Sequence, residues 1–509
     1  MTIEVVTTPI SGTALTRAAI EGVESPWFAP RPKDAGGWRD RGEDVRTKLL
    51  TRDWTAELAP ALKATGRAAA NLARVQSSGF AVTTGQQPGL FGGPLYTWWK
   101  ALSAVALAAR LESLTGAPVV PLFWAATDDS DFAEASYTIV PSADGAERID
   151  MSIDAGSGTP LARVPVGDLE KQLARLEQSA GSAASGDILK AVREAYNPAA
   201  TVGGAYVDLL RRLLEPLGVP VLDASHPIVR ATAHPLLARA LENAEGIEEA
   251  LSARSKDLKT AGHSAQVKLV KGRTLVFGET NGRRDRIRLR DAKSALADMA
   301  PGSLGPNVLL RPVVEASIIP TLAYVGGPAE IAYFAQSSAV AESLGAATPL
   351  VVPRWSGFVI EPRIQKILER NGLTVDDFRD AHMVESRIAR NSLPAPFRDG
   401  MTELRDAIDK ITGTLARSEG ADLVAPSVLD GLKRGMNHRV DRLERRMAAS
   451  VKRKGNDALH DARIARGFLF PFGTAQERAL NLIPLLARNG SELFDSVLDE
   501  ARKHAERIA

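Results

Sequence analysis

The stretch from Phe80 to Glu134, FAVTTGQQPGLFGGPLYTWWKALSAVALAARLESLTGAPVVPLFWAATDDSDFAE, constrains the fold of this chain more than any other. Phe80 to Thr84 is a short apolar run that predicts a strand. The two prolines and four glycines after it let the backbone turn tightly beside a ligand. Pro94 suits the first turn of a helix. In that helix Leu95, Trp98, Leu102, Val105 and Ala109 recur at three- and four-residue spacing, so this face is expected to pack down while Lys100, Ser103 and Arg110 point elsewhere. Pro118 to Ala125 predicts a second buried strand. Asp128, Asp129, Asp131 and Glu134 follow at its C-terminal end, which is where open α/β sheets bind ligands. Strand, glycine-rich turn, helix, strand and acidic loop make the plan of an α/β, Rossmann-like core.

The plan recurs. Leu322 to Val325 predicts a strand entering Gly326-Gly327-Pro328, and an apolar helix runs on to about residue 345. Like Gly92-Gly93-Pro94, this turn is expected to offer free amides at a helix N-terminus, a setting that favours an anion. The competing reading is that each glycine pair only permits close strand-to-helix packing. Between the two motifs lie strand candidates at Ser136 to Val140, Arg148 to Ile153, Leu161 to Val166 and Val219 to Leu222. Helices are predicted near 168–180, 187–195, 201–216 and 227–258, followed by a meander of Val267 to Leu269, Thr274 to Glu279 and Asp285 to Leu289 turned at Lys271-Gly272 and Asn281-Gly282. Trp27, Phe28 and Trp38 are expected to anchor an N-terminal arm. Near the other end, Met401, Leu404, Ile408, Ile411 and Leu415, then Leu429, Leu432, Met436, Leu443 and Met447, predict an antiparallel coiled-coil hairpin turned near 418–426. The expected organisation is a core over 1–398, with an inserted α/β element at about 136–215 and 262–300, a hairpin over 399–467, and helices over 468–509 returning to the core.

Composition narrows the function. At 509 residues with a formal charge of +2, the chain has no global electrostatic case for nucleic acid. Lys433, Arg434, Arg439, Arg442, Arg445 and Arg446 read as a solvated face. No run approaches the roughly 18 apolar residues of a membrane-spanning helix, and the first residues lack signal-peptide features, so a cytoplasmic location is expected. With no cysteine there is no thiolate metal site, cysteine nucleophile or disulfide. The Walker A sequence, the spaced dinucleotide fingerprint and a zinc signature are missing too.

Several segments resemble the bacillithiol biosynthesis cysteine-adding enzymes, a family of proposed cysteine ligases. They are TGQQPGLFGGPLYTWWKA at Thr84 to Ala101, PVVPLFWAATDDSDF at Pro118 to Phe132, PNVLLRPVVEASIIPTLAYVGGPAEIAYFAQ at Pro306 to Gln336, VVPRWS at Val351 to Ser356, and FLFPFGTAQERALNLIPLL at Phe468 to Leu486. Two departures stand out. The family's acidic loop usually reads Glu-Asp-His-Asp where this chain has Asp128-Asp129-Ser130-Asp131, and Val313 to Ala316 replaces a frequent Gln-Asp.

The resemblance implies addition of cysteine to glucosaminyl-malate, the last step of bacillithiol synthesis, by a homodimer joined through the coiled coil. With fold analogy it also implies ATP or ADP with magnesium; Asp129 and Asp131 could accept an amine proton or hold that ion, or serve only as helix caps, and no other metal site is expected. Such chemistry needs an activated carboxylate, a base for an amine and cations for the malate. Asp129, Asp131 and Asp128 are the catalytic candidates. Gly85, Gln86, Gln87, Gly92, Gly93, Tyr96, Gly326, Gly327 and Glu330 are candidates for substrate or nucleotide binding, as are Gln476 and Arg478 at a helix start. Arg311 and Arg354, beside prolines at predicted strand ends, need partners if buried. A substrate carboxylate is one candidate, Glu330 or Glu361 another. The rival readings are a nucleotidyltransferase or amino-acid ligase with another substrate, and a non-catalytic coiled-coil interaction protein.

Overall fold

Apolar runs closed by glycine or proline become the strands of a computed structural model that describes the chain except residues 1–2, 77, 154, 157, 183–184, 281, 381–383, 385–386, 389–394, 420–422 and 453–455. In chain order the elements that matter here are β1 (Phe80–Gln86), α1 (Leu95–Thr115), β2 (Val119–Ala125), β3 (Val221–Asp223), α2 (Pro227–Glu242), β4 (Arg273–Thr280), β5 (Arg283–Arg288) and β6 (Leu304–Pro306). They continue with α3 (Arg311–Ile318), β7 (Thr321–Gly326), α4 (Pro328–Ser343), β8 (Val351–Pro353), α5 (Ala395–Leu415), α6 (Pro426–Lys452) and α7 (Ser491–Ile508). The chain forms two compact units. One comprises residues Val5–Val140, Arg148–Val359 and Glu477–Ala509, and the other Met1–Glu4, Pro141–Glu147 and Ile360–Gln476.

The larger unit is built on a parallel sheet in the order β8-β7-β1-β2-β3. Gln86 pairs with Ala125, Ala125 with Asp223, and Gly326 with Pro353, so the C-terminal ends of neighbouring strands lie level. Nearly every residue of these strands is buried, as expected for a sheet covered on both faces.

Burial also changes the reading of α1. The helix has no single inward face: Trp99 meets Trp355 edge-on at 5.6 Å, Trp98 stacks on Phe494 of α7 at 6.3 Å, and Lys100 and Ser103 are buried while Ala109 is exposed. A helix covered on several sides carries no amphipathic stripe for spacing to reveal. Trp38 is fully buried, and Trp27 and Phe28 pack against a small cluster of Leu15, Leu258 and Ala335.

Three local expectations are corrected. Leu161 to Val166 forms no strand; Leu161–Arg163 is a single 3-10 turn, and the segment's pairing is an isolated bridge of Pro165 to Thr201. The third strand of the meander is β6, in the order β5-β4-β6, and Val267 to Leu269 stays outside it. There the Gln336 side chain takes the place of a strand, accepting from the Val267 amide and donating to its carbonyl, both at 2.9 Å. Gly282 adopts φ 78° in the β4–β5 turn, and its predicted partner Asn281 lies outside the described residues. Arg311 opens α3 and does not end a strand, because the Asn307 side chain accepts from the Leu309 and Leu310 amides and bends the chain into a helix.

In the smaller unit α5 and α6 pair as a hairpin, with Met401, Ile408 and Val440 as its buried cluster. Arg405 bonds Asp441 at 2.8 Å and Glu444 at 2.9 Å across it. Leu404, Ile411, Leu415, Leu432, Met436 and Leu443, expected in the seam, are exposed instead. Residues 420–422 of the predicted turn, and the Arg445 side chain, lie outside what is described.

Candidate active site

Level strand ends create a cavity of about 480 Å³ at the C-terminal edge of the sheet, wholly within the larger unit. Its floor begins at Gly85, where a Cβ would stand 2.7 Å from the Trp124 carbonyl, so only glycine lets β1 lie this close to β2. Beneath the turn, the Lys100 ammonium donates to the Gly85 carbonyl and to Gln86 Oε1, both at 2.8 Å, and pairs with Glu330 Oε2 at 2.5 Å. Glu330 also accepts from the Gly327 amide at 2.9 Å and the Tyr324 hydroxyl at 2.5 Å. Tyr324 leads to Arg311, which donates to Tyr333 Oη at 2.9 Å and to Glu315 Oε2 at 2.6 Å. At the opposite end Gln86 Nε2 donates to Tyr96 Oη at 3.1 Å. One connected set of polar bonds therefore ties the ends of β1 and β7 to α1, α3 and α4.

The charges in this floor are matched. Burial lowers the pKa of Lys100, against the pull of Glu330. Burial pushes Glu330 up, but Lys100, the Gly327 amide and Tyr324 outweigh it and hold its carboxyl below the usual range. Glu315 is driven up to about 7 by burial, against the attraction of Arg311. Among the described residues neither arginine forms its ion pair with Glu330 or Glu361. Arg311 meets Glu315, and Arg354, 2% exposed, is bound by both oxygens of Glu477 at 2.6 and 2.8 Å.

The acidic loop forms another wall. Asp128 pairs with Arg284 at 3.0 Å, and Arg284 also donates to the carbonyls of Asp128 at 2.7 Å and Pro306 at 2.5 Å. Asp129 Oδ1 accepts from the amides of Ser130 at 2.6 Å and Asp131 at 3.1 Å, and its other oxygen has no hydrogen-bond partner among the described residues. Burial first, then Asp128, raise the Asp129 pKa against Arg284. Glu134 is raised by burial and by Asp131 and Asp129, and accepts from Gln87 at 2.5 Å.

The cavity thus gathers Asp128, Asp129, Gly85, Gln86, Gln87 and Tyr96 with Arg311, Gly327, Glu330, Arg354 and Arg478. Other expected residues lie elsewhere. Asp131 caps the short helix Phe132–Ala135 through the Glu134 amide at 3.2 Å and does not line the cavity. Gly92 and Gly93, at φ 87° and 73°, close a tight turn whose amides donate to the Gly89 and Leu90 carbonyls, and they too are absent from the lining, as is Gly326. The Gly327 amide is taken by Glu330, so neither glycine pair presents the free donors expected of it. Gln476 is the last residue of the other unit. Pattern reading missed Lys100, Glu315, Arg284 and Arg286. Lys100 left one signal, as the single charge in the apolar run from Leu95 to Ala109.

Two family profiles cover almost the whole chain. The bacillithiol biosynthesis BshC N-terminal Rossmann-like domain matches residues 25–355, and the BshC C-terminal coiled-coil domain matches 357–508. A protein of Solibacter usitatus named "Putative cysteine ligase BshC" is 34% identical over 478 residues, 89% of this chain and 90% of its own. Proteins of the same name are similar in Koribacter versatilis, 34% identical over 86% of this chain and 85% of the relative, and in Salinibacter ruber, 28% over 82% and 80%. The glycine-turned parallel sheet, the site at its edge and the helical hairpin accordingly make this chain a member of the BshC family of bacillithiol biosynthesis.

Proposed function

We propose that the chain is a carbon–nitrogen ligase joining the carboxyl group of cysteine to the amine of glucosaminyl-malate, the last step of bacillithiol synthesis. The observation that carries this reading is Asp129, a largely buried carboxylate at the edge of the sheet with one oxygen fixed by two amides and the other unengaged. An amine attacks only as the free base, and a carboxylate with a raised pKa suits taking its proton. Asp128 is held by Arg284 and acts through position, keeping the loop against β6. The name carried by the relatives agrees with this chemistry.

The cysteine carboxyl needs a leaving group, and we assign its supply to ATP, or ADP, with magnesium: a bound nucleotide would provide the phosphoryl or adenylyl group that departs when the amide forms. Because the glycine-turn amides are used internally, its phosphates would be met by the rim cation Arg478. Among the described residues no group of three or more histidine or acidic side chains is placed to hold a metal ion, so magnesium would arrive with the phosphates.

Mass spectrometry of the protein incubated with cysteine, glucosaminyl-malate, magnesium and ATP, beside single omissions, tests the reading. A cysteinyl product is expected, reduced about 100-fold or more by Asp129→Asn and retained by Asp131→Asn. No product from folded wild-type protein, or a product insensitive to Asp129→Asn, overturns it.

We also propose a homodimer through the helical hairpin. Leu404, Ile411, Leu432 and Leu443 are 43%, 59%, 47% and 47% exposed, large apolar side chains that a monomer would leave in water. Light scattering should show dimers that become monomers in Leu404→Glu/Ile411→Glu; a monomeric wild type refutes the proposal.

A further inference from the structure

Both arginines expected to meet a substrate carboxylate are occupied from within, Arg311 by Glu315 and Arg354 by Glu477. Lys100, Arg230 and Arg284 are likewise paired, with Glu330, Glu279 and Asp128. Two cavity cations form no ion pair among the described residues, Arg478, which lies within the electrostatic reach of Glu134, and Arg286. Arg478 is exposed, whereas Arg286 is partly buried in the small antiparallel sheet.

The sheet explains its placement. Arg284 and Arg286 are two residues apart on β5 and so share a face, and the register sets Arg286 opposite Phe277 of β4. Both guanidinium groups lie over the Phe277 ring, Arg284 at 4.3 Å and Arg286 at 5.4 Å from its centroid. A third guanidinium is adjacent, since Arg273 donates to the Arg286 carbonyl at 2.7 Å. Burial first, then the neighbouring charges of Arg273 and Arg284, push the pKa of Arg286 down. Asp128 is the acid paired with this group, and Arg284 holds it. An entering anion would remove the excess, and a guanidinium stacked on a ring keeps its planar donors available for a two-point carboxylate contact.

We propose that Arg286 is a carboxylate-binding subsite of the cavity and holds an acid group of the acceptor. Under the ligase reading above, on which this inference rests for its ligand, that group belongs to the malate moiety. The subsite lies on the same wall as Asp128 and would fix one end of the acceptor while its amine reaches Asp129.

Calorimetric titration of the full chain with malate, and separately with ATP and magnesium, tests the assignment in wild type, Arg286→Gln and Arg286→Lys, with matched thermal unfolding as the check on folding. Arg286→Gln should weaken malate about tenfold or more, as expected for loss of a charge-assisted contact, and leave the nucleotide unchanged. It should also raise KM for glucosaminyl-malate with kcat nearly constant, and Arg286→Lys should recover only part of the loss, because it keeps the charge without the fork. Weakened nucleotide with unchanged malate would assign the site to a phosphate and overturn the proposal. Unchanged malate affinity and unchanged KM would also overturn it, while product formation left the ligase reading standing. Malate bound through Arg286 by a protein that makes no cysteinyl product would leave the subsite in place and remove that reading.

Discussion

The floor and the acidic wall of the cavity are built from the same residue types, yet they differ in whether their charges are matched. In the floor, Lys100, Glu330, Arg311 and Glu315 form two ion pairs, joined through Tyr324. On the wall, Asp129 has one unengaged oxygen and Arg286 no acidic partner among the described residues. A buried charge that already has its partner gains little from a ligand, since binding would first have to break the pair. A charge held in place without one is ready to take an opposite group at small reorganisation cost. Under the proposed function the floor would position and the wall would bind and take up the proton, although the floor contains the more buried and more perturbed groups. Perturbed titration alone would have picked Glu315 as the functional acid.

The largest expected effect breaks the floor. Lys100→Met should destabilise the protein by about 3–5 kcal/mol, the range for removing one partner of a buried ion pair, because Glu330 would then be left charged and without its cation. Urea unfolding measures this, and Lys100→Met/Glu330→Gln should recover a substantial part. Arg286→Gln, on the wall, should change stability by less than about 1 kcal/mol. Equal losses at Lys100 and Arg286 would erase the distinction between the two regions.

Legibility in the sequence follows a related division. Strands β1, β2 and β7 and their glycine turns were legible because each is an apolar run with sharp punctuation, and Asp129 because it follows a strand end. Lys100 was not, since α1 is covered on several sides and spacing assigns such a lysine to solvent. Arg354 was correctly read as a cation in need of a partner, but its partner is Glu477, and nothing local connects residues 123 apart. Glu315 and Arg311 are one helical turn apart and could have been paired had α3 been read as a helix in place of a strand end. Asp129 and Asp131 have the same chemistry two positions apart; turn geometry alone sends one into the cavity and makes the other a helix cap. Arg286 belongs to an alternating basic strand that looks solvated until Phe277 is placed opposite it.

A smaller effect sharpens the comparison through pH. Glu315 is driven from its ordinary 4.5 up to about 7, chiefly by burial. Between those values the native protein retains a proton that the unfolded chain has released, so stability falls as pH rises through that window and is not recovered above it. The contribution is at most about 3 kcal/mol for a shift of this size. Glu315→Gln removes the titrating group, so denaturant midpoints measured from pH 4.5 to 7 should decline less steeply in this variant than in wild type. The wall responds in the same direction, because Asp129 is also raised, and under the proposed function its protonation would be read in catalysis as well. Proton uptake from the amine needs the ionised carboxylate, so product formation should rise with pH through the Asp129 titration. Glu315→Gln should leave the midpoint of that activity profile in place, whereas a midpoint displaced along with the stability curve would mean that floor and wall titrate as one unit.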